Sequence, residues 1–183
     1  MTTKLYNSSV NPISGETFKS LSVENNVYST EWTVLPNGHA PFEHIHVNQD
    51  ETFLVKSGEL RVVINGEEHL ATVGESITVP KGVKHIAFNN STSETLSCIL
   101  NYEPALDHVV FMQCFNGLTT DGFLDKNGGI DIPKMGYFMV KMKAKCVARP
   151  SNIPDPIFAI ALRFFYLRGV LSGWGKLFRK YTL

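Results

Sequence analysis

Two histidine-bearing blocks between Gly38 and Asn89 restrict the folds open to this chain more than any other feature. The first sets His44, His46 and Glu51 between Gly38 and Gly58; the second sets Pro80, Gly82 and His85 between Gly74 and Asn89. Side chains alternate faces along an extended chain, so His44 and His46, separated by Ile45, point the same way. Glu51 opens the run Glu51-Thr-Phe-Leu-Val-Lys56, a strand with Glu51, Phe53 and Val55 on one face. His85 and Ala87 share a face of a third run, Lys84 to Asn89. If those faces look into one barrel, three neutral imidazoles and a carboxylate meet at a point. That N/O set suits one divalent first-row metal (Fe, Mn, Ni, Zn, Co or Cu) and leaves coordination positions open, which favours chemistry or ligand capture over a structural clip.

The punctuation between these runs is that of an antiparallel β-protein. Gly58, Gly74 and Gly82 fall between strand-like runs, and Pro80, which cannot donate to a ladder, belongs at an edge or turn. Asn65-Gly66, between Glu59–Ile64 and Glu67–Val73, is a strong short-range hairpin signal. Val27 to Leu35 is rich in β-branched and aromatic residues and reads as a strand leading into the first block, after a turn at Asn25-Asn26. Short strands continue to Tyr102, a density that means a sandwich or barrel. Neither histidine block recurs, so one barrel is expected.

The two blocks resemble the paired motifs of the cupins. The first family motif, G-x5-H-x-H-x3,4-E-x6-G, is met by Gly38, His44, His46, Glu51 and Gly58. The second, G-x5-P-x-G-x2-H-x3-N, is met by Gly74, Pro80, Gly82, His85 and Asn89. The resemblance implies a mainly β fold, an antiparallel double-stranded β-helix (jelly-roll barrel), here followed by a few C-terminal α-helices. It also implies His44, His46, Glu51 and His85 as metal ligands, with Glu51 able to ligate or to accept a proton. Family members with this ligand set often activate dioxygen, so a metal-dependent oxygenase is the first functional expectation. A non-enzymatic metal-binding, small-molecule-binding or sensor protein is the second, since this barrel hosts many chemistries. The family also commonly pairs its barrels through sheet edges, and an edge left open before Trp32 makes a homodimer the expected assembly.

Composition narrows the partners. A chain of 183 residues with 43% hydrophobic and 19% charged residues is an ordinary globular balance. Its zero net charge divides unevenly: up to Leu106 there are 12 acidic against 6 basic residues, and from Asp107 onward 5 against 11. An acidic barrel argues against nucleic acid as its ligand. Cys98, Cys114 and Cys146, an odd count with no C-x-x-C pair, suit reduced, packed thiols. With no secretory pattern at the start and no apolar run long enough for a membrane span, the expectation is a cytoplasmic protein.

Three regions follow: residues 1–26 as an N-terminal arm and first strand, the part before Ser14 loosely held; 27–104 as the barrel; and 105–183 as a helical extension. In the extension, a helix capped by Asp107 is expected to end near Gly117, a second to run from Lys134 to Val147, and a last one from Ile157 to about Leu171 after the breaks at Pro150, Pro154 and Pro156. Their apolar stripes are read as packing on the barrel. The competing reading is attachment to a membrane surface through Phe164, Phe165, Trp174 and Phe178. Strand parity puts Trp32, Phe53, Val55, Ile77, Ala87 and Leu100 in the substrate pocket, an apolar lining suited to a small carbon-rich substrate, aromatic compounds included. The basic residues near the blocks (Lys56, Arg61, Lys81, Lys84) lack the parity of an inward phosphate clamp, which disfavours sugar-phosphate chemistry. His108 is expected in a surface or packing role.

Overall fold

A computed structural model describes residues 6–145 and 147–183; the first five residues of the expected arm and Cys146 lie outside them. Two antiparallel sheets face one another. The larger contains β1 (Ser8–Val10), β2 (Glu16–Glu24), β3 (Val27–Val34), β10 (Leu96–Glu103), β5 (Asp50–Ser57) and β8 (Ser76–Val79), in that spatial order. The smaller contains β11 (Ala148–Pro150), β4 (His44–His46), β9 (Lys84–Asn89), β6 (Leu60–Ile64) and β7 (Glu67–Ala71). Strict alternation builds the core: Tyr28, Thr30, Trp32 and Val34 of β3, and Leu96, Cys98, Leu100 and Tyr102 of β10, all turn inward. The mainly β fold with C-terminal helices is therefore present.

Two turns explain much of the register. Asn65 (φ 52°) and Gly66 (φ 91°) both take positive φ between paired Ile64 and Glu67, the geometry that matches the twist of a two-residue hairpin. Asn25 and Asn26 (φ 50° and 63°) do the same between Glu24 and Val27.

The N-terminal segment departs from a loose arm. β1 pairs with β2, and β2 pairs along the length of β3. The edge before Trp32 is therefore covered from within the chain and gives no support to a homodimer. The polar residues of this segment find buried partners in the helical extension: Ser9 Oγ donates to Asn116 Oδ1 (2.8 Å), and Asn11 Nδ2 donates to the Gly128 carbonyl (2.7 Å).

The extension contains α1 (His108–Thr120), α2 (Ile132–Lys141), α3 (Asp155–Leu171) and α4 (Gly175–Thr182). Asp107 precedes α1 as expected, but its carboxylate accepts the Lys145 backbone N–H (3.0 Å) instead of capping its own helix. Asp131 caps α2 by accepting the Lys134 N–H (2.9 Å). α2 stops well short of Val147. Beyond it the chain extends into β11, pairing Ala148 with His46 and Pro150 with His44; Pro150 sits where an edge strand tolerates a missing N–H. The extension is thus hydrogen-bonded to the very strand that carries the first histidine pair. Cys98 and Cys114 are buried free thiols.

Candidate metal centre and cavity

Three strands bring the four expected ligands together. β4 presents His44 and His46, β9 presents His85 directly opposite His44, and β5 presents Glu51 from the facing sheet. One ligand atom from each lies within 4.8 Å of all the others, a cluster able to hold a metal ion. His44 Nε2 is 3.2 Å from His46 Nε2, His46 Nε2 is 3.2 Å from Glu51 Oε2, and His85 Nε2 is 2.8 Å from Glu51 Oε2.

The outer nitrogens fix the rings. His44 Nδ1 faces the Phe42 carbonyl (3.3 Å) and His85 Nδ1 the Val83 carbonyl (3.1 Å). A carbonyl only accepts, so each Nδ1 carries the proton and each Nε2 turns its lone pair to the centre. Turned to Glu51 Oε2 at 2.8 Å, the His85 lone pair is repelled by the carboxylate unless something positive lies between them. His46 adds to the mismatch, since its buried Nδ1 has no partner among the described residues. A cation coordinated by the Nε2 atoms resolves the repulsion at the centre, so the donor set fits a metal.

The electrostatics agree with an anionic Glu51 carboxylate beside a neutral His44. Burial pushes the Glu51 carboxyl up, but His46 and His85 outweigh it by charge and hydrogen bonds and hold Glu51 well below the ordinary carboxylate range. Burial, reinforced by the neighbouring His46 and His85, lowers His44 to about 3. Burial also lowers His85, but Glu51 more than reverses this.

The centre opens into a cavity of about 130 Å³. Apolar cavities of about 150 Å³ take up a benzene ring, so a ring-sized ligand fits the space. The barrel supplies Trp32, Phe53, Ala87 and Leu100 to its wall, as parity suggested. Val55 and Ile77 do not reach it. Val55 is buried two residues beyond Phe53, towards the other end of β5, and Ile77 lies on β8, the edge strand beyond Phe53.

Sequence reasoning missed the rest of the wall. The helical extension contributes Phe111, Met112 and Phe115 from α1, Met135 and Met139 from α2, and Phe158 from α3. Among the described residues no Lys or Arg lines the cavity. Glu16 of β2 lies in the wall, 2% exposed; its Oε1 accepts from Trp32 Nε1 (3.0 Å) and its Oε2 from Ser14 Oγ (2.8 Å). Burial raises Glu16 to about 7, against the opposing pull of those two hydrogen bonds. Tyr102 is also buried in the wall, and its hydroxyl is pushed well above its usual value by burial and by the adjacent Glu51. The alternation of β10 was enough to place Tyr102 beside Leu100.

His108 is the other unforeseen residue. It is 2% exposed and stacks on Tyr102 with ring centroids 3.9 Å apart. Gln49 Nε2 donates to the Pro104 carbonyl (2.8 Å), which turns Gln49 Oε1 towards His108 Nδ1 (3.0 Å). His108 therefore donates from Nδ1, and its Nε2 has no partner among the described residues. Burial, assisted by His46, lowers its pKa to about 3, so it is neutral. It stands outside the four-residue cluster.

Comparison with known proteins places the barrel. The family described as Cupin domain matches residues 30–100. Similar solved structures include the Cnp3 cupin domain of Schizosaccharomyces pombe (16% identity, 48% of this chain and 63% of that one, TM-score 0.44). KdgF from a Halomonas species matches at 18% identity over 51% of this chain and 83% of that one, with a TM-score of 0.46. A cupin-superfamily sugar phosphate isomerase from Silicibacter pomeroyi matches at 21% identity over 52% and 67%, with a TM-score of 0.45. This chain therefore spans just under two thirds of the first of these. No curated protein matches it.

Proposed function

This is a protein of the cupin superfamily, with its cupin domain in residues 30–100, and from that premise we propose that it is a metal-dependent oxygenase acting on a small carbon-rich substrate. The observation that carries the reading is the meeting of three imidazole Nε2 atoms and one Glu51 oxygen within 4.8 Å, at the head of an apolar cavity. His44, His46, Glu51 and His85 would hold one divalent first-row ion. Such an ion, when bound, supplies Lewis acidity and a site for redox chemistry.

The chain's own residues have separate tasks. The Phe42 and Val83 carbonyls orient His44 and His85. Glu51 is anionic and within hydrogen-bond reach of His85, so it can ligate or accept a proton from a substrate hydroxyl. Phe53, Trp32, Leu100 and Phe158 exclude water and leave room for a ring. With no Lys or Arg in the wall among the described residues, a phosphorylated sugar would bury its charge without a basic side chain beside it there, which supports a neutral substrate. A binding protein without turnover is the competing reading, favoured by the share of the wall that α1, α2 and α3 supply.

The test is to reconstitute the metal-free protein with Fe(II), Mn(II), Ni(II), Co(II) or Cu(II) separately and follow oxygen uptake with aromatic diols and β-diketones. Metal-dependent uptake that is lost in Glu51→Gln supports the oxygenase. Stoichiometric metal and tight ligand binding with no uptake across the series leave the binding reading.

A further inference from the structure

We propose that the outer face of α3 docks the protein on an anionic lipid surface. α3 is apolar on two sides. Its inner side is used: Phe158 is buried in the cavity wall, and Gly136 of α2 makes room for Phe165 and Leu162, with a Cβ there falling 2.8 and 3.1 Å from their Cδ2 atoms. Its outer side carries Ile157, Ile160, Phe164, Leu167 and Leu171, exposed by 58, 66, 61, 63 and 89%. At about 100° per residue these five fall in one stripe about 80° wide along the helix. A helix that is apolar all round is normally covered on every side.

The charges around the stripe select what covers it. Arg163 and Arg168, both exposed, flank it on opposite sides. From Pro156 to Leu183 the chain has five basic residues, Arg163, Arg168, Lys176, Arg179 and Lys180, and no acidic one. Asp155, at the start of the helix, is held by Arg149 Nε at 2.6 Å. Pairing this stripe with the same stripe of a second copy would bring four arginines to one seam, while the one carboxylate of each α3, Asp155, is already paired with Arg149. Phosphate headgroups supply the missing negative charge, while the arginine stems lie along the acyl boundary. Among the described residues no single helix is long and apolar enough to span a membrane; α3 and α4 reach that length and composition only as a pair bent by 93°, and in the proposed docking α3 lies on the surface. Of the four residues the sequence suggested, Phe164 is in the stripe, whereas Trp174 is buried against Tyr137, and Phe165 and Phe178 are half-buried.

The full chain should sediment with vesicles of phosphatidylcholine and phosphatidylglycerol, and not with phosphatidylcholine alone. The double variant I160D/L167D should abolish sedimentation. Arg163→Ala and Arg168→Ala should each lower partitioning about fivefold, and added salt should weaken binding further. Unchanged circular dichroism in each variant separates lost docking from lost fold. Equal binding to both vesicle types overturns the proposal. So does a lipid-independent dimer, seen by light scattering, that I160D/L167D dissolves while the native protein ignores vesicles.

Discussion

Replacing Glu16 with Gln should leave stability nearly unchanged in acid and raise it in alkali. The native carboxyl titrates near 7, against 4.5 for the ordinary group, because burial disfavours its charge. A raised folded-state pKa means that the group's contribution is fully present below about 4.5 and is lost as pH rises through about 7. At about 1.36 kcal/mol per pKa unit, ionising Glu16 inside the fold costs below about 1 kcal/mol at pH ~5 and about 3 kcal/mol at pH ~8. A Gln side chain can still accept from Trp32 Nε1 and face Ser14 Oγ, and it has no charge to desolvate. The stability of Glu16→Gln relative to the native protein should therefore rise by roughly 2–3 kcal/mol between those pH values. Urea unfolding of both proteins at each pH measures the difference, and titrations common to both cancel. A difference that is flat with pH, or that falls as pH rises, would refute the claim that Glu16 is a desolvated carboxyl in the cavity wall.

Other consequences concern how the helical extension meets the barrel. His108→Phe should keep the stack on Tyr102 and the metal content but leave Gln49 Oε1 without its donor, a loss of about 1–3 kcal/mol by denaturant unfolding; loss of metal instead would make His108 part of the centre. Gly169→Ala puts a Cβ 2.2 Å from Tyr137 Cδ2 and 2.9 Å from Trp174 Cε3, both rigid rings. It should cost about 1–3 kcal/mol, with Tm falling by about 2–4 °C per kcal/mol; an unchanged Tm would show that α3 does not pack tightly on α2. A chain ending at Glu103 loses β11 from beside β4 and the helical wall of the cavity, and should aggregate on expression; a soluble fragment with native heat stability would make the extension an independent appendage.

What was legible in the sequence was local. The parity of His44 and His46, of Glu51 with Phe53, and of His85 with Ala87 follows from the two-residue period of a strand, and the Asn65-Gly66 hairpin follows from the positive φ its turn requires. What was not legible depends on partners far along the chain. Glu16 enters the cavity because Trp32 turns an indole N–H to it across a strand pair. Pro150 reads as a helix breaker, and only the pairing of three residues with β4 makes the segment a strand. Asp107 is a sound cap by residue type, yet the Lys145 N–H, 38 positions away, takes its carboxylate. Parity also says which face a side chain takes but not how far along the barrel the cavity extends. It therefore placed Phe53 and Leu100 in the wall and overreached at Val55 and Ile77.

The central claim is a single metal held by side chains of three strands, and the most direct measurement is metal content combined with X-ray absorption on protein purified without chelators and reloaded to saturation. The account predicts one first-row ion per chain, with three imidazole nitrogens and one carboxylate oxygen in its coordination sphere, and loss of that ion in both His85→Ala and Glu51→Ala. No ion retained after reloading, or one retained equally by those variants, would contradict it.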